Sequence, residues 1–230
     1  GVLTRLNPTT WFRRKPKYTP LTTQLPGEKS SIEKPAPTEV IDNLAPKFEV
    51  TDGAAESRAT IPRYKSRVLS KPPEGKRFDA EPFFTRGIQT QKDRKTSEAV
   101  AAYREALKKD PRFFEANYNL ALVLREAGDF SAALLAYEQA LALQPESVNA
   151  RYNFAFTLHE AGYFHDAAQE LQKLLRENPN ETRAHLLLGN ICAQRLNQTS
   201  TAREHYLKVL EADPRHPQAV QIRYWLAAHP

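Results

Sequence analysis

Three kinds of residue are missing or scarce in this chain, and each shortage excludes a class of site. The 230 residues include no methionine, one cysteine and eight glycines. A single cysteine, Cys192, excludes an internal disulfide. Its place between Ile191 and Ala193 on a helix predicts a buried thiol rather than a reactive one, because free cysteine packs as a small hydrophobe. The glycines are scattered singly, so the sequence has no glycine-rich loop to cradle a phosphate.

Long apolar runs are also missing. No stretch approaches the roughly 18–20 apolar residues that a membrane-crossing helix needs, and no apolar segment follows the early basic residues as it would in a secretory leader. We therefore expect a soluble or membrane-peripheral chain. Because the chain has no starting methionine, we expect that a leader or anchor was removed, or that a longer protein contains it.

Catalytic and metal-binding arrangements are not recognisable in the sequence. Five histidines between residues 159 and 216 are separated by 6, 20, 20 and 11 residues, which lacks the i, i+4 pairing of a helical zinc motif. The serines and acids form no recognisable Ser-His-Asp set or carboxylate pair. The sequence thus predicts no metal, no cofactor, no small-molecule substrate and no enzymatic activity.

Charge and proline divide the chain into two parts. Residues 1–79 contain 15 Lys and Arg, 9 Asp and Glu, and 10 of the 17 prolines, whereas residues 80–230 contain 18 basic and 18 acidic residues. The net charge of +6 therefore belongs to the N-terminal third. Its prolines interrupt any helix before it could nucleate, and its low apolar content predicts an extended arm that is disordered when alone.

The arm interleaves basic and apolar side chains in two clusters. The second cluster surrounds Tyr64 and includes Arg63, Lys65 and Arg67. The first cluster supplies the predicted arm contacts Trp11, Phe12, Arg13, Arg14, Lys15 and Tyr18. Three interpretations remain open: a solvated tether, an arm that folds on a protein partner, or direct contact with nucleic acid or anionic lipid, in which rings stack or insert while cations meet phosphates.

From residue 80 onward the sequence repeats itself. Residues 114–147 and 148–181 are two copies of one 34-residue unit, and proline recurs at Pro111, Pro145, Pro179 and Pro214. Every step is 34 residues except the last, which is 35. A fixed period of this size predicts stacked supersecondary units that bury their apolar faces against each other.

The unit resembles the tetratricopeptide repeat. In the unit at 114–147 the residues that fill the family pattern are Leu120, Ala121, Leu124, Ala133, Tyr137, Ala140 and Pro145. The resemblance implies an all-α, right-handed solenoid of four helical hairpins, with repeats at 80–113, 114–147, 148–181 and 182–216. A capping helix is expected over 217–229, and the domains are an arm of 1–79 and a repeat domain of 80–230.

Small residues and turn signals define each predicted hairpin. Gly128 and Gly162 predict left-handed residues between the paired helices, whereas Arg94 at the equivalent place predicts a different turn. Side-chain caps for the second helices are predicted at Thr96 or Ser97, Asp129 or Ser131, and Thr201 with Glu204. Close helix packing is predicted at two recurring small positions, Gly87, Ala121, Ala155 and Gly189, and Ala99, Ala133, Ala167 and Ala202.

The resemblance implies that the first helix of each hairpin lines a concave groove. The residues predicted to face it are Phe84, Ile88, Glu115, Tyr118, Leu122, Arg125, Asn149, Tyr152, Phe156, His159, Arg183, Leu186 and Asn190. Several are large and apolar, and an exposed apolar stripe usually marks a binding surface. The alternative is that they pack between neighbouring repeats or against the chain's own arm.

Together these features predict a non-catalytic scaffold or adaptor. It would bind a protein partner in the groove and attach to a multi-subunit assembly through the arm, since two linked contacts strengthen each other. The alternative is a basic-arm protein that docks on nucleic acid or anionic membrane, with the repeats as recruiting module. The wording of the repeats leans towards a bacterial origin.

Overall fold

The computed structural model describes residues 62–67 and 71–230, and that part of the chain contains nine α-helices. They are α1 Arg77–Lys92, α2 Thr96–Lys109, α3 Phe114–Glu126, α4 Phe130–Leu143, α5 Val148–Glu160, α6 Phe164–Glu177, α7 Thr182–Gln194, α8 Thr199–Ala212 and α9 Ala219–Ala228. The predicted arm contacts at residues 11–15 and 18 lie outside the described residues.

The first eight helices form four hairpins, as predicted. Each odd-numbered helix packs on the next even-numbered one, and neighbouring hairpins pack in chain order. Helix α3 also contacts α5, and α5 contacts α7. We call the first helices α1, α3, α5 and α7 the inner layer, and the second helices α2, α4, α6 and α8 the outer layer.

Small residues allow the paired helices to approach closely. Ala99, Ala133 and Ala167 are fully buried. A Cβ atom added at Gly87 would lie 2.5 Å from the ring of Tyr103. Any side chain at this position would therefore clash with that ring. The predicted packing role of these positions is confirmed.

The turn inside each hairpin depends on one left-handed residue. Gly128 and Gly162 have φ angles of 80° and 86°, as predicted, while Arg94 has a φ of 59°. The amide of Lys95 donates to Thr90 O at 2.9 Å, which is the bond that the corresponding turns of the second and third hairpins make. The prediction of a different turn at Arg94 is therefore wrong, because the hairpin geometry imposes this conformation on a non-glycine residue.

The residue after the left-handed position is the N-cap of each second helix. Asp129 takes this place in the second hairpin, and its carboxylate accepts a bond from Ala132 N at 3.1 Å, as predicted. In the first and fourth hairpins the N-caps are Lys95 and Gln198, and neither side chain makes a cap bond. The caps predicted at Thr96 or Ser97 and at Thr201 with Glu204 are wrong, because these residues lie inside the helices.

The core continues through the last hairpin. Cys192 is fully buried, as predicted, and burial raises the pKa of its thiol to about 11. Helix α9 packs on α8, where the ring of Trp225 meets that of Tyr206, while Val220 is 74% exposed. In the described part of the chain, every helix is too short or too polar to cross a membrane.

Candidate partner-binding surfaces

The inner layer buries the apolar stripe that was expected to be exposed. Tyr118, Leu122, Tyr152 and Phe156 are 1%, 0%, 5% and 7% exposed. The prediction that these side chains form an exposed apolar surface is therefore wrong. The alternative of packing between neighbouring repeats agrees with their contacts.

Arginines from neighbouring repeats cover the two rings of α5. The rings of Tyr152 and Phe156 are stacked at 6.5 Å between centroids. The guanidinium carbon of Arg183 on α7 lies 4.9 Å from the centroid of the Tyr152 ring, and that of Arg125 on α3 lies 5.0 Å from the Phe156 ring. Cations over aromatic faces are attracted by the ring quadrupole, so these arginines close the inner surface and join three repeats.

A hydrogen bond between repeats holds Tyr118 in place. Its hydroxyl accepts from Asn153 Nδ2 at 2.8 Å, and its ring meets Tyr137 edge-on at 6.1 Å. Burial raises the pKa of Tyr118 to about 12. The hydroxyl therefore stays protonated at neutral pH and links α3 to α5.

A row of polar side chains lies along the inner layer, one from each repeat. Glu81, Glu115, Asn149 and Arg183 stand at 34-residue intervals, and all four are at least partly exposed. Arg183 donates to Glu181 Oε1 at 2.8 Å and to Asn149 Oδ1 at 3.2 Å. We call these four residues the polar row; three of them are among the predicted groove residues, and Glu81 is a further member.

The other predicted groove residues serve packing. Phe84 is 1% exposed and its ring lies 4.5 Å from that of Phe113. Ile88 and Leu186 are half-buried against the core, and Asn190 Oδ1 accepts a bond from Tyr206 OH at 2.9 Å. The thirteen residues are thus divided between core positions and a polar surface.

Two of these residues show how burial and pairing shape the surface. Arg125 is 7% exposed, and its guanidinium group donates to Glu160 of the neighbouring repeat at 2.8 Å. His159 packs its ring against Phe156 and Phe164, and its buried Nδ1 has no partner among the described residues. Burial, reinforced by the charge of Arg195, lowers the pKa of His159 to about 4.

A second surface, which the sequence interpretation missed, binds the chain's own residues 62–67. We call this segment the strap and its contact residues Glu138, Phe154, Tyr163 and Asp166 the outer seat. Glu138 belongs to α4 and Asp166 to α6, so the strap joins the second and third repeats across the outer layer. The strap is part of the predicted second basic cluster.

Two carboxylates hold the ends of the strap. Asp166 forms an ion pair with Arg63 at 3.0 Å and accepts from Tyr64 N at 2.8 Å. Glu138 Oε1 accepts from Ser66 Oγ at 2.7 Å and from Arg67 N at 2.9 Å. The seat therefore recognises backbone N–H groups as well as positive charge.

An aromatic contact lies between the two carboxylates. The Tyr64 ring lies 6.0 Å from that of Phe154 and 5.4 Å from that of Tyr163. Burial and the neighbouring Glu138 carboxylate raise the pKa of Tyr64 above its ordinary value. One signal in the sequence could have indicated this site, namely that Glu138 interrupts an otherwise apolar face of α4.

A histidine pair is a further polar cluster, in the fourth repeat. Nδ1 of His185 lies 3.0 Å from Nδ1 of His205, and His185 Nε2 lies 2.9 Å from Pro179 O. Since a carbonyl accepts only, His185 Nε2 carries the proton and the Nδ1 proton belongs to His205. Among residues 62–67 and 71–230, no three histidine, cysteine or carboxylate side chains are placed to hold a metal ion.

The family follows from the repeat geometry and from sequence comparison. Three sequence models of the tetratricopeptide repeat match residues 91–148, 124–191 and 182–216, which together cover more than half of the chain. The chain belongs to the tetratricopeptide repeat family. No curated protein matches the chain by sequence.

Solved structures with this fold are numerous. A crystal structure of MamA protein is 20% identical with a TM-score of 0.60 and covers 65% of this chain and 81% of its own. A tetratricopeptide repeat protein from Parabacteroides merdae is 22% identical, with a TM-score of 0.61, covering 65% and 59% respectively. YrrB, described as a TPR protein with an unusual peptide-binding site, is 24% identical, with a TM-score of 0.56, covering 65% and 77%. These similarities establish the repeat fold.

Proposed function

We propose that this chain is a non-catalytic adaptor that binds a protein partner on the polar row of its inner layer. The observation that carries the proposal is the placement of the row. Glu115, Asn149 and Arg183 present charged and amide groups from three consecutive repeats, and Arg183 covers the ring of Tyr152. Such a surface suits an extended polar segment that crosses several repeats.

The covered rings change which partner we expect. Because the rings of Tyr152 and Phe156 lie beneath Arg183 and Arg125, a partner contacts hydrogen-bonding groups rather than an apolar surface. Charged and polar rows favour specificity and fast association more than raw affinity. The described peptide-binding site of YrrB is consistent with a role for this fold in peptide capture.

The adaptor proposal also assigns the arm an anchoring role in a multi-subunit assembly. It is supported by the sequence of residues 11–18, where the aromatic residues Trp11, Phe12 and Tyr18 flank a basic run. Two weak contacts on one chain bind jointly more tightly than either alone. The arm and the polar row would then each be necessary for stable association.

Affinity capture with the full chain as bait tests the polar row. We expect Asn149→Ala/Arg183→Ala to reduce recovery of the captured proteins at least about tenfold, the equivalent of about 1.4 kcal/mol. The matched control is Gln172→Ala/Arg176→Ala, which changes two exposed residues of α6 in the outer layer. Equal recovery with the row variant and the wild type would rule out the row as the binding surface.

The alternative function is docking of the arm on nucleic acid or anionic membrane. It is favoured by the location of the entire excess of positive charge in residues 1–79. Binding of a DNA duplex and of phosphatidylserine vesicles by the full chain distinguishes the two functions. Phosphate contacts would weaken steeply as salt rises, and Arg13→Ala/Arg14→Ala/Lys15→Ala would flatten that dependence.

A further inference from the structure

The outer seat is not a requirement of the repeat architecture. At the place of Glu138 the other repeats carry Arg104, Gln172 and Leu207. Three pairs of consecutive repeats can be compared at the positions of Glu138 and Asp166. Only Glu138 and Asp166 themselves are both acidic. Packing of the hairpins therefore does not explain these two acids.

The segment that covers Glu138 has to donate hydrogen bonds to it. It is 7% exposed, and within the described residues its Oε1 is bonded by the strap while its buried Oε2 has no partner. A buried carboxylate without donors is costly. Any occupant that covers Glu138 as the strap does must therefore bring N–H or O–H groups.

The strap defines the chemistry of that occupant. It supplies Arg63 and a backbone N–H to Asp166, a hydroxyl and a backbone N–H to Glu138, and the ring of Tyr64 to the aromatic pair between them. These groups come from four residues, Arg63, Tyr64, Ser66 and Arg67, within a run of five. An extended basic segment with a tyrosine near its centre has this pattern.

The strap is held on the seat by a short connection. Residues 72 and 76 are bound to the first hairpin, where Arg112 Nε donates to Pro72 O at 2.7 Å and Lys76 N donates to Lys109 O at 2.8 Å. The five Cα–Cα steps from residue 67 to residue 72 span at most about 18 Å. A tether this short gives an effective concentration in the millimolar range, so an isolated peptide with the same contacts displaces the strap only above that concentration.

A longer partner has further groups to contact beside the strap. Next to Ser66 and Arg67 lies a cleft lined by Leu141, Arg151, Glu170 and Lys173. Arg151 and Glu170 form an ion pair there at 3.0 Å. A segment that fills the seat and continues into this cleft gains contacts that the strap does not make.

We propose that the outer seat is a binding site for an extended, basic, tyrosine-centred segment of a partner protein, and that the strap is its built-in competitor. The site lies on the layer opposite to the polar row and is independent of the function proposed for that row. A partner displaces the strap when its added contacts exceed the advantage of the tether. The free chain would therefore exclude weak ligands of the same charge.

The probe is a fluorescein-labelled peptide of residues 60–69, titrated against the full chain. The strap is disabled by Arg63→Gly/Tyr64→Gly/Ser66→Gly, which leaves the seat unchanged. We expect this variant to bind the peptide at least about tenfold more tightly than the wild type. Adding Asp166→Asn should lower the affinity at least about tenfold, because it removes the ion pair with Arg63.

Three controls decide the outcome. Glu177→Gln, at an exposed acid of α6, should leave peptide binding unchanged, as should Asn149→Ala/Arg183→Ala in the polar row. A scrambled peptide of the same composition should bind at least about tenfold more weakly. Because its net charge is unchanged, this comparison distinguishes recognition of the residue order from non-specific attraction of charge. Absence of binding by the strap-disabled chain, equal binding by the wild type, or equal binding of the scrambled peptide would each overturn the proposal. Asp166 lies in the first turn of α6, and helicity measured by circular dichroism confirms that its variant folds.

Discussion

At the scale of single residues, His159 places a titratable group in an apolar part of the inner layer. Its pKa is lowered to about 4, first by burial and then by Arg195, whereas an unfolded histidine titrates near 6.5. The native state thus holds a neutral imidazole where the unfolded chain would be charged. Stability must therefore fall as pH drops from about 6.5 towards 4, because the unfolded state binds the proton first.

Replacing His159 tests this pH dependence. Between pH 7 and pH 5 the wild type should lose about 2 kcal/mol more unfolding free energy than His159→Leu. The measurement is chemical denaturation of both proteins at the two pH values, followed by circular dichroism. Since both proteins keep the same carboxylates, the difference isolates the histidine, and parallel pH profiles would contradict the prediction.

At the scale of elements, the turn between α1 and α2 carries avoidable strain. Arg94 has a φ of 59°, where glycine stands in the second and third hairpins. A Cβ atom in the left-handed region costs about 1–2 kcal/mol, part of which the greater freedom of glycine in the unfolded chain offsets. Arg94→Gly should therefore stabilise the chain by up to about 1 kcal/mol.

The control for this turn keeps the Cβ atom and removes the rest of the side chain. Arg94→Ala should give no gain, because the strain comes from the backbone conformation rather than from the guanidinium group. Denaturation midpoints of the three proteins measure the effect. If the alanine and glycine variants were equally stabilised, the arginine side chain rather than its φ angle would be responsible.

The elements themselves were largely predictable because the repeat period is a local property of the sequence. Gly128 and Gly162 set the ends of helices, and the small residues at Gly87 and Ala133 set the helix crossings. The cap at Thr201 failed because the first residue after the turn, rather than the nearest hydroxyl, takes the cap position. The turn, once formed, thus overrides the local preference of the side chains.

The binding surfaces were harder to predict, because they depend on side chains far apart in sequence. Periodicity places Tyr152 and Phe156 on the inner face, but it does not reveal that Arg183 and Arg125 reach over them from neighbouring repeats. The contact between Tyr64 and Asp166 joins residues 102 positions apart. No local pattern fixes such a distance.

At the scale of the whole molecule, a solenoid distributes its stability unevenly. Each repeat contacts its neighbours, so stability is a sum of repeat and interface contributions. Helices α3 and α5 bury most of their residues, whereas α8 and α9 each bury three. We therefore expect the C-terminal end to open more readily than the centre.

Trp225 tests whether opening at that end is local. Its ring lies 4.9 Å from that of Tyr206 on α8, and truncating a buried tryptophan typically costs about 3–5 kcal/mol. Trp225→Ala should lower amide exchange protection in α8 and α9 at least about 100-fold, while protection in α3 and α4 stays within about twofold. Val220→Ala, at an exposed position of the same helix, should leave both regions unchanged. Equal loss of protection in α3 and α8 would mean that the repeats unfold as one cooperative unit, and the central repeats could not then hold a partner while the C-terminal end opens.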